Sequence, residues 1–258
     1  DVYKRQLLIH DTLPGASGYE WSKIEDELAI DHTVYTVDLL GCGRSDKSSI
    51  TYTNFVYVQM ISDFIKKIIG QKTDVIASGF SGSFVTMACH NEKELFNKIM
   101  LVNPPSLTQL KQMPNRKDRL LKAALEIPIF GTLVYHMIVS RDNINNLFIE
   151  KMYYNPFHVD NQMADAYYEA AHKGGYYTRF LYSSLAAKYI NINICHALKA
   201  LDNSIYIVEG ETEPNGKAVT DDYCASNPAI EVSVLKETKH LPHVEAPEAF
   251  LEQVKIFF

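Results

Sequence analysis

The chain has 258 residues, 47% hydrophobic and 22% charged, enough to bury one sizeable core in one domain or two small ones. Its 31 acidic against 25 basic residues give a formal net charge of −6, which argues against nucleic acid and anionic membrane surfaces, since both reward clustered Lys and Arg, and favours a small-molecule partner. The absence of any run of about 18 apolar residues excludes a helical membrane span from the expectations.

Residues 1–6 (D-V-Y-K-R-Q) resemble the in-frame translation of a transposon end used in preparing sequencing libraries, so they are set aside and genuine sequence is expected to start near Leu7, with an N-terminal piece missing. Beyond them, short apolar runs alternate with amphipathic stretches. The pattern predicts a strand at 7–9, a helix at 17–30 around Trp21, Ile24 and Leu28, and a strand at 33–39. A helix at 54–69, a buried strand at 74–77, a helix at 83–90 and a strand at 98–102 follow. From 104 to 196 strand character stops, and the composition turns to helix formers with many Tyr, Phe, Met and Ile. Strands return at 204–208 and 230–235, and a helix opened by Pro247 closes the chain at 247–258. The expected fold is therefore α/β, a mostly parallel central sheet with helices on both faces, its core formed by 1–103 and 197–258 and interrupted by a helical cap at 104–196. The four cysteines, Cys42, Cys89, Cys195 and Cys224, are widely spaced with no C-x-x-C pair, which reads as free thiols in a reducing, cytoplasmic compartment, with neither a zinc site nor a disulfide framework.

The strand at 74–77 runs into Ser78-Gly79-Phe80-Ser81-Gly82-Ser83 and then a helix, matching a G-x-S-x-G elbow in its strand-turn-helix context. So sharp a turn needs small residues two before and two after the nucleophile, and around Ser81 these are Gly79 and Ser83. Near the C-terminus, His240-Leu241-Pro242-His243-Val244-Glu245-Ala246-Pro247-Glu248 lies between the last strand and the last helix. Between the two, Gly210-Glu211-Thr212-Glu213-Pro214 follows the strand at 204–208. Early in the chain stands His10-Asp11-Thr12-Leu13-Pro14-Gly15, and after the second strand Asp38-Leu39-Leu40-Gly41-Cys42-Gly43-Arg44-Ser45-Asp46.

In this order these stretches resemble the α/β-hydrolase fold superfamily, in particular its capped, esterase- or lipase-like serine hydrolases, over nearly all of the core outside the cap. The resemblance implies Ser81 as nucleophile and His240 as base, with His243 structural or exposed. Glu213 stands where the family usually has Asp, with Glu211, Asp221 and Asp222 as competitors for the acid. The oxyanion hole is expected from the backbone N–H groups of Gly82 and Thr12, although Asp11 occupies the position of a usual Gly. The implied reaction is cleavage of a carboxylic ester or related acyl bond of a small, mainly apolar substrate through an acyl-enzyme, with no cofactor or metal. A serine nucleophile argues against the dehalogenases and epoxide hydrolases of this fold, in which an Asp attacks. Alternatives are carbon–carbon bond hydrolysis, suggested by Pro14-Gly15-Ala16 but weakened by Leu241 in place of Trp, and a non-catalytic small-molecule-binding member, for which Asp11 and Glu213 leave room. The cap tyrosines Tyr135, Tyr153, Tyr154, Tyr167, Tyr168, Tyr176, Tyr177, Tyr182 and Tyr189 and methionines Met113, Met137, Met152 and Met163 are expected mostly to pack the cap helices and in part to line an apolar pocket.

Overall fold

A computed structural model describes residues 4–258; residues 1–3 of the set-aside segment lie outside the described residues. The strands Lys4–Ile9 (β1), His32–Val37 (β2), Thr73–Ser78 (β3), Phe96–Val102 (β4), Ile205–Gly210 (β5) and Glu231–Leu235 (β6) form one sheet in the order β2-β1-β3-β4-β5-β6, and every pairing is parallel. Lys4, Arg5 and Gln6 pair with His32, Thr33 and Val34 as the first half of β1.

Side chains of a strand alternate between its faces, and both faces of this sheet are covered. Leu7, Ile9, Val75, Ala77, Ile99, Leu101, Ile205 and Ile207 pack into one layer. Leu8, Ile76, Met100, Val102, Tyr206 and Val208 pack into the other. Every residue of β3 and β5 is buried, the reason their centres, 75–77 and 205–208, read as continuous apolar runs rather than alternating ones. Each such aliphatic side chain contributes about 1.5–3 kcal/mol on burial.

The helices of the first half are Glu25–Leu28 (α1), Asn54–Phe64 (α2) and Ser81–Asn91 (α3). The expected helix at 17–30 is broken into a 3-10 turn, Gly18–Trp21, and the single turn α1. The break lets Glu20 point inward beside Trp21, where it is wholly buried in a polar cluster described below. The expected helix at 54–69 is α2 continued by a π turn, Ile65–Ile69, and stopped by Gly70 in the left-handed conformation at φ +69°.

No described residue between Val102 and Ile205 is in a strand. This stretch holds Leu107–Leu110 (α4), Arg116–Glu126 (α5), Pro128–Ile138 (α6), Arg141–Leu147 (α7), Asn161–His172 (α8), Arg179–Ala186 (α9) and Cys195–Ala200 (α10). A capping box between Asn115 and Asp118 starts α5, and Asp160 caps α8 by accepting the N–H groups of Gln162 and Met163. Tyr135, Phe148, Met152, Tyr153, Met163 and Tyr167 of this insertion pack with Ala16, Leu241 and Val244 of the core, whereas Met113, Met137, Tyr154, Tyr176 and Tyr177 are exposed. The chain closes with Gly216–Ser226 (α11), Pro242–Glu245 (α12) and Pro247–Phe257 (α13), the last burying Phe250 and Val254 against the sheet. Among the described residues no single helix is long and apolar enough to cross a membrane.

Candidate active site

β3 ends at Ser78 and α3 begins at Ser81, so the corner between them is Gly79, which takes φ +53°. A left-handed corner costs a residue with a side chain about 1–2 kcal/mol and glycine nothing. With the corner at Gly79, the positions two before and two after it are Ala77 and Ser81, and these supply the small residues that the crowded turn requires. The elbow is thus centred two residues earlier than the G-x-S-x-G pattern places it. A Cβ built on Gly79 would collide with the Cγ and both carboxylate oxygens of Asp11. The space that an elbow side chain would fill is taken by a carboxylate from the loop after β1.

That carboxylate is held at both oxygens. Oδ1 accepts the N–H of Thr12 at 2.6 Å and the N–H of Phe80, the residue after the corner, at 2.8 Å. Oδ2 lies 3.4 Å from His240 Nε2, and the other ring nitrogen of His240, Nδ1, lies 3.2 Å from Glu213 Oε1. Both ring nitrogens therefore face carboxylate oxygen, an arrangement satisfied when both carry protons. Burial alone would lower the His240 pKa, but hydrogen bonds and charge from Asp11 and Glu213 outweigh it and raise it to about 10.

Loops leaving four strands place these groups. Glu213 stands just past β5 in a turn closed by its N–H to Gly210 O at 3.0 Å. Asn103, just past β4 at φ +43°, accepts the Gly210 N–H at 3.0 Å and donates to the carbonyls of Lys239 and His240 at 2.8 and 2.9 Å, tying three loops together. His10 Nε2 accepts the Leu39 N–H at 3.0 Å, which leaves the proton on Nδ1, 2.6 Å from Asp11 O. Beneath Asp11 lies a second buried set. Glu20 Oε2 accepts the Asp11 N–H at 3.3 Å and the Tyr167 hydroxyl at 3.4 Å, and Ser78 donates to Oε1. His243 Nε2 lies 3.1 Å from Glu20 Oε1, and Trp21 stacks on the His243 ring at 4.3 Å. Burial would push the Glu20 carboxyl up, yet His243 and Ser78 hold it below the ordinary range, so it is ionised.

The structure pairs His240 with Glu213 and sets Thr12 beside them through Asp11, whereas Ser81 meets Thr12 and neither His240 nor Glu213 is among its hydrogen-bond partners. Ser81 is fully buried; its hydroxyl donates to His10 O at 2.6 Å and lies 3.1 Å from Thr12 Oγ1. The Gly82 N–H is spent inside the first turn of α3 on Gly79 O at 3.2 Å, and the donor that converges with the Thr12 N–H is Phe80 N–H. Of the competing acids, Glu211 accepts the Glu237 N–H, and Asp221 and Asp222 are exposed on α11. Asp11, Glu20 and Asn103 are the site residues that the motifs passed over. The signal for Asp11 was its place in a position that usually demands Gly, together with a Gly where the elbow needs a side chain.

A cavity of about 530 Å³ is lined by Asp11, Gly79, Phe80 and His240 and, from the insertion, by Leu147, Glu150, Lys151 and Met152. This part of the insertion is tied to the loop after β6 by the His240 N–H on Met152 O at 3.1 Å, and by Glu245, which accepts the N–H groups of Tyr154 and Lys239 at 2.6 and 2.7 Å. Among the described residues no group of three or more His, Cys, Asp or Glu is arranged to hold a metal ion.

A parallel sheet whose strand ends bring carboxylates, a histidine and two converging backbone N–H groups to one cavity has the layout of the working edge of an α/β hydrolase. Residues 7–253 match the model of the alpha/beta hydrolase family, and the chain belongs to that family. Its fold is similar to that of a 2-hydroxy-6-oxo-6-phenylhexa-2,4-dienoate hydrolase from Rhodococcus sp. strain RHA1, at TM-score 0.78 and 18% identity over 99% of this chain and 90% of that one. It is also similar to a carboxylesterase from the thaumarchaeon Nitrososphaera gargenis (TM-score 0.73, 17% identity, 99% and 89% covered). An epoxide hydrolase superposes with TM-score 0.77 and 15% identity over 99% of this chain and 92% of its own. An uncharacterized protein of Mycobacterium tuberculosis is 25% identical over 103 residues, 40% of this chain, and the matched stretch spans 30% of that relative's length.

Proposed function

We propose that the chain hydrolyses a small, mainly apolar substrate in the cavity under the insertion, which acts as its cap, with the Glu213–His240 pair moving the proton of the attacking water. The observation that carries this reading is His240 itself, held by Glu213 on one side and facing Asp11 and the cavity with its other nitrogen. Acid, base and convergent backbone donors are the parts a hydrolase of this fold uses. An acyl-enzyme on Ser81 lacks support, because that hydroxyl is turned to His10 O and Thr12 and does not line the cavity. The carbon–carbon hydrolase reading needs the same serine and loses support with it.

A second reading, binding without turnover, is favoured by one specific feature: Asp11 already fills the two backbone donors that would hold a substrate oxyanion. Turnover separates the two readings. The wild type, Ser81→Ala, His240→Gln and Glu213→Gln are assayed with p-nitrophenyl esters from acetate to decanoate, with phenyl glycidyl ether and with n-hexyl bromide. Hydrolysis of any probe that survives Ser81→Ala and is lost in His240→Gln and Glu213→Gln supports the proposal. A folded wild type that binds apolar probes and turns none over supports the binding role.

A further inference from the structure

From the placement of its carboxylate we infer that Asp11 is the nucleophile, delivered from the loop after β1 into the space vacated at Gly79, and that the substrates are electrophiles at saturated carbon, epoxides or alkyl halides. The inference rests on the hydrolase reading above and adds to it the attacking atom and the bond class.

Three observations support it. First, the two departures of this sequence are reciprocal in space. A carboxylate replaces the small residue expected in the oxyanion loop, and glycine replaces the side chain expected at the corner. The carboxylate fills the very volume that Gly79 leaves open. Second, the two oxygens of Asp11 are in different environments suited to different roles. Oδ1 is bound by the converging N–H groups of Thr12 and Phe80, and Oδ2 is turned to His240. Third, Asp11 is only 3% exposed and is one of the residues that line the cavity, where a substrate can meet it.

The chemistry then balances in two steps. Oδ2 attacks the saturated carbon, forming a C–O bond as the carbon–halogen or carbon–oxygen bond breaks. The electron pair leaves on halide, or on the epoxide oxygen, which takes a proton from cavity water. The product is a neutral ester of Asp11. Esterification removes one of the two negative charges that raise the His240 pKa, so the imidazole releases its extra proton to cavity water, where it neutralises the hydroxide left by an epoxide or departs with the halide as acid, and becomes a base. It takes a proton from water as the water oxygen adds to Asp11 Cγ. The negative charge of the tetrahedral intermediate develops on Oδ1, already bound by the two N–H donors. Collapse expels the alkoxide, which His240 protonates, and the carboxylic acid left on Asp11, carrying one water oxygen, passes its proton to His240 and restores the starting carboxylate beside the protonated imidazole. The net reaction is water plus epoxide to diol, or water plus alkyl halide to alcohol and acid. An ester substrate would need the two donors for its own oxyanion, and Asp11 occupies them.

The test uses the full chain with two probes, phenyl glycidyl ether and n-hexyl bromide. The wild type is run to many turnovers in heavy-oxygen water and digested, and the mass of the peptide containing Asp11 is read. His240→Gln, which keeps the nucleophile and lacks the base, is incubated with each probe and its intact mass measured. Heavy oxygen in the Asp11 carboxylate, or a stable adduct of one probe mass on Asp11 of His240→Gln, is the expected result, and the probe that gives it tells epoxide from halide substrates. Turnover of either probe or of the ester series with no label on Asp11 overturns the nucleophile assignment and leaves the hydrolase reading standing. A folded wild type that neither turns over nor acquires label with any probe overturns both.

Discussion

Exchanging the two reciprocal residues back toward the family pattern measures how tightly they are coupled. Gly79→Ser alone places a side chain in a left-handed corner, at about 1 kcal/mol, and forces it into the Asp11 carboxylate, with overpacking of about 1–3 kcal/mol. The single variant is expected to lose about 2–4 kcal/mol. Asp11→Gly alone strips the acceptor from the N–H groups of Thr12 and Phe80, at about 1–3 kcal/mol once cavity water rehydrates them. In the double variant the collision is absent and the new hydroxyl stands below His240, so the combined loss falls short of the sum by about 1–3 kcal/mol. Urea denaturation of the four proteins gives this coupling directly. A fluorophosphonate probe adds a second readout: the double variant is labelled at position 79 and the wild type is not labelled at Ser81. Losses that add to within about 0.5 kcal/mol would refute the shared-space argument, and labelling of wild-type Ser81 would restore the serine mechanism.

The raised pKa of His240 makes stability depend on pH. Its stabilising contribution is complete below the unfolded value of 6.5 and is lost as pH rises through about 10, a gap worth on the order of 5 kcal/mol before solvent screening of its partly exposed ring. The wild type is therefore expected to lose several kcal/mol more than His240→Gln between those two pH values in urea titrations, and parallel losses would contradict the two-carboxylate clamp. Ser81→Ala removes a hydroxyl hydrogen-bonded to His10 O and is expected to cost about 0.5–1.5 kcal/mol while changing turnover no more than a few-fold; loss of turnover in a folded protein would return Ser81 to the reaction. His243→Leu leaves the ionised Glu20 buried without its partner ring, and a loss of about 3–5 kcal/mol is expected from thermal and urea unfolding, against under 1 kcal/mol were the pair idle.

The elements of the core were legible because each obeys a local rule. The centres of β3 and β5, 75–77 and 205–208, are buried on both sides and read as unbroken apolar runs, α13 opens on Pro247, and the π turn that continues α2 ends at Gly70. The helix at 17–30 was misread because apolar spacing at Trp21, Ile24 and Leu28 says nothing about Glu20, whose inward turn is stabilised by Ser78, Tyr167 and the Asp11 N–H from three other segments.

The sequence by itself determined the alternation of strands and helices, the helical insertion, and the candidacy of His240 and Glu213, since those depend on periodicity and on short motifs read along the chain. Only the tertiary structure decided which residue sits at the corner and which group fills the space above it. The reason is physical. A G-x-S-x-G pattern and an A-x-G-x-S pattern share the same letters from 77 to 83, and which residue takes φ +53° depends on the crowding around the turn. The carboxylate that completes the site comes from 68 residues earlier in the chain, from Asp11 to Gly79, a distance that only folding closes.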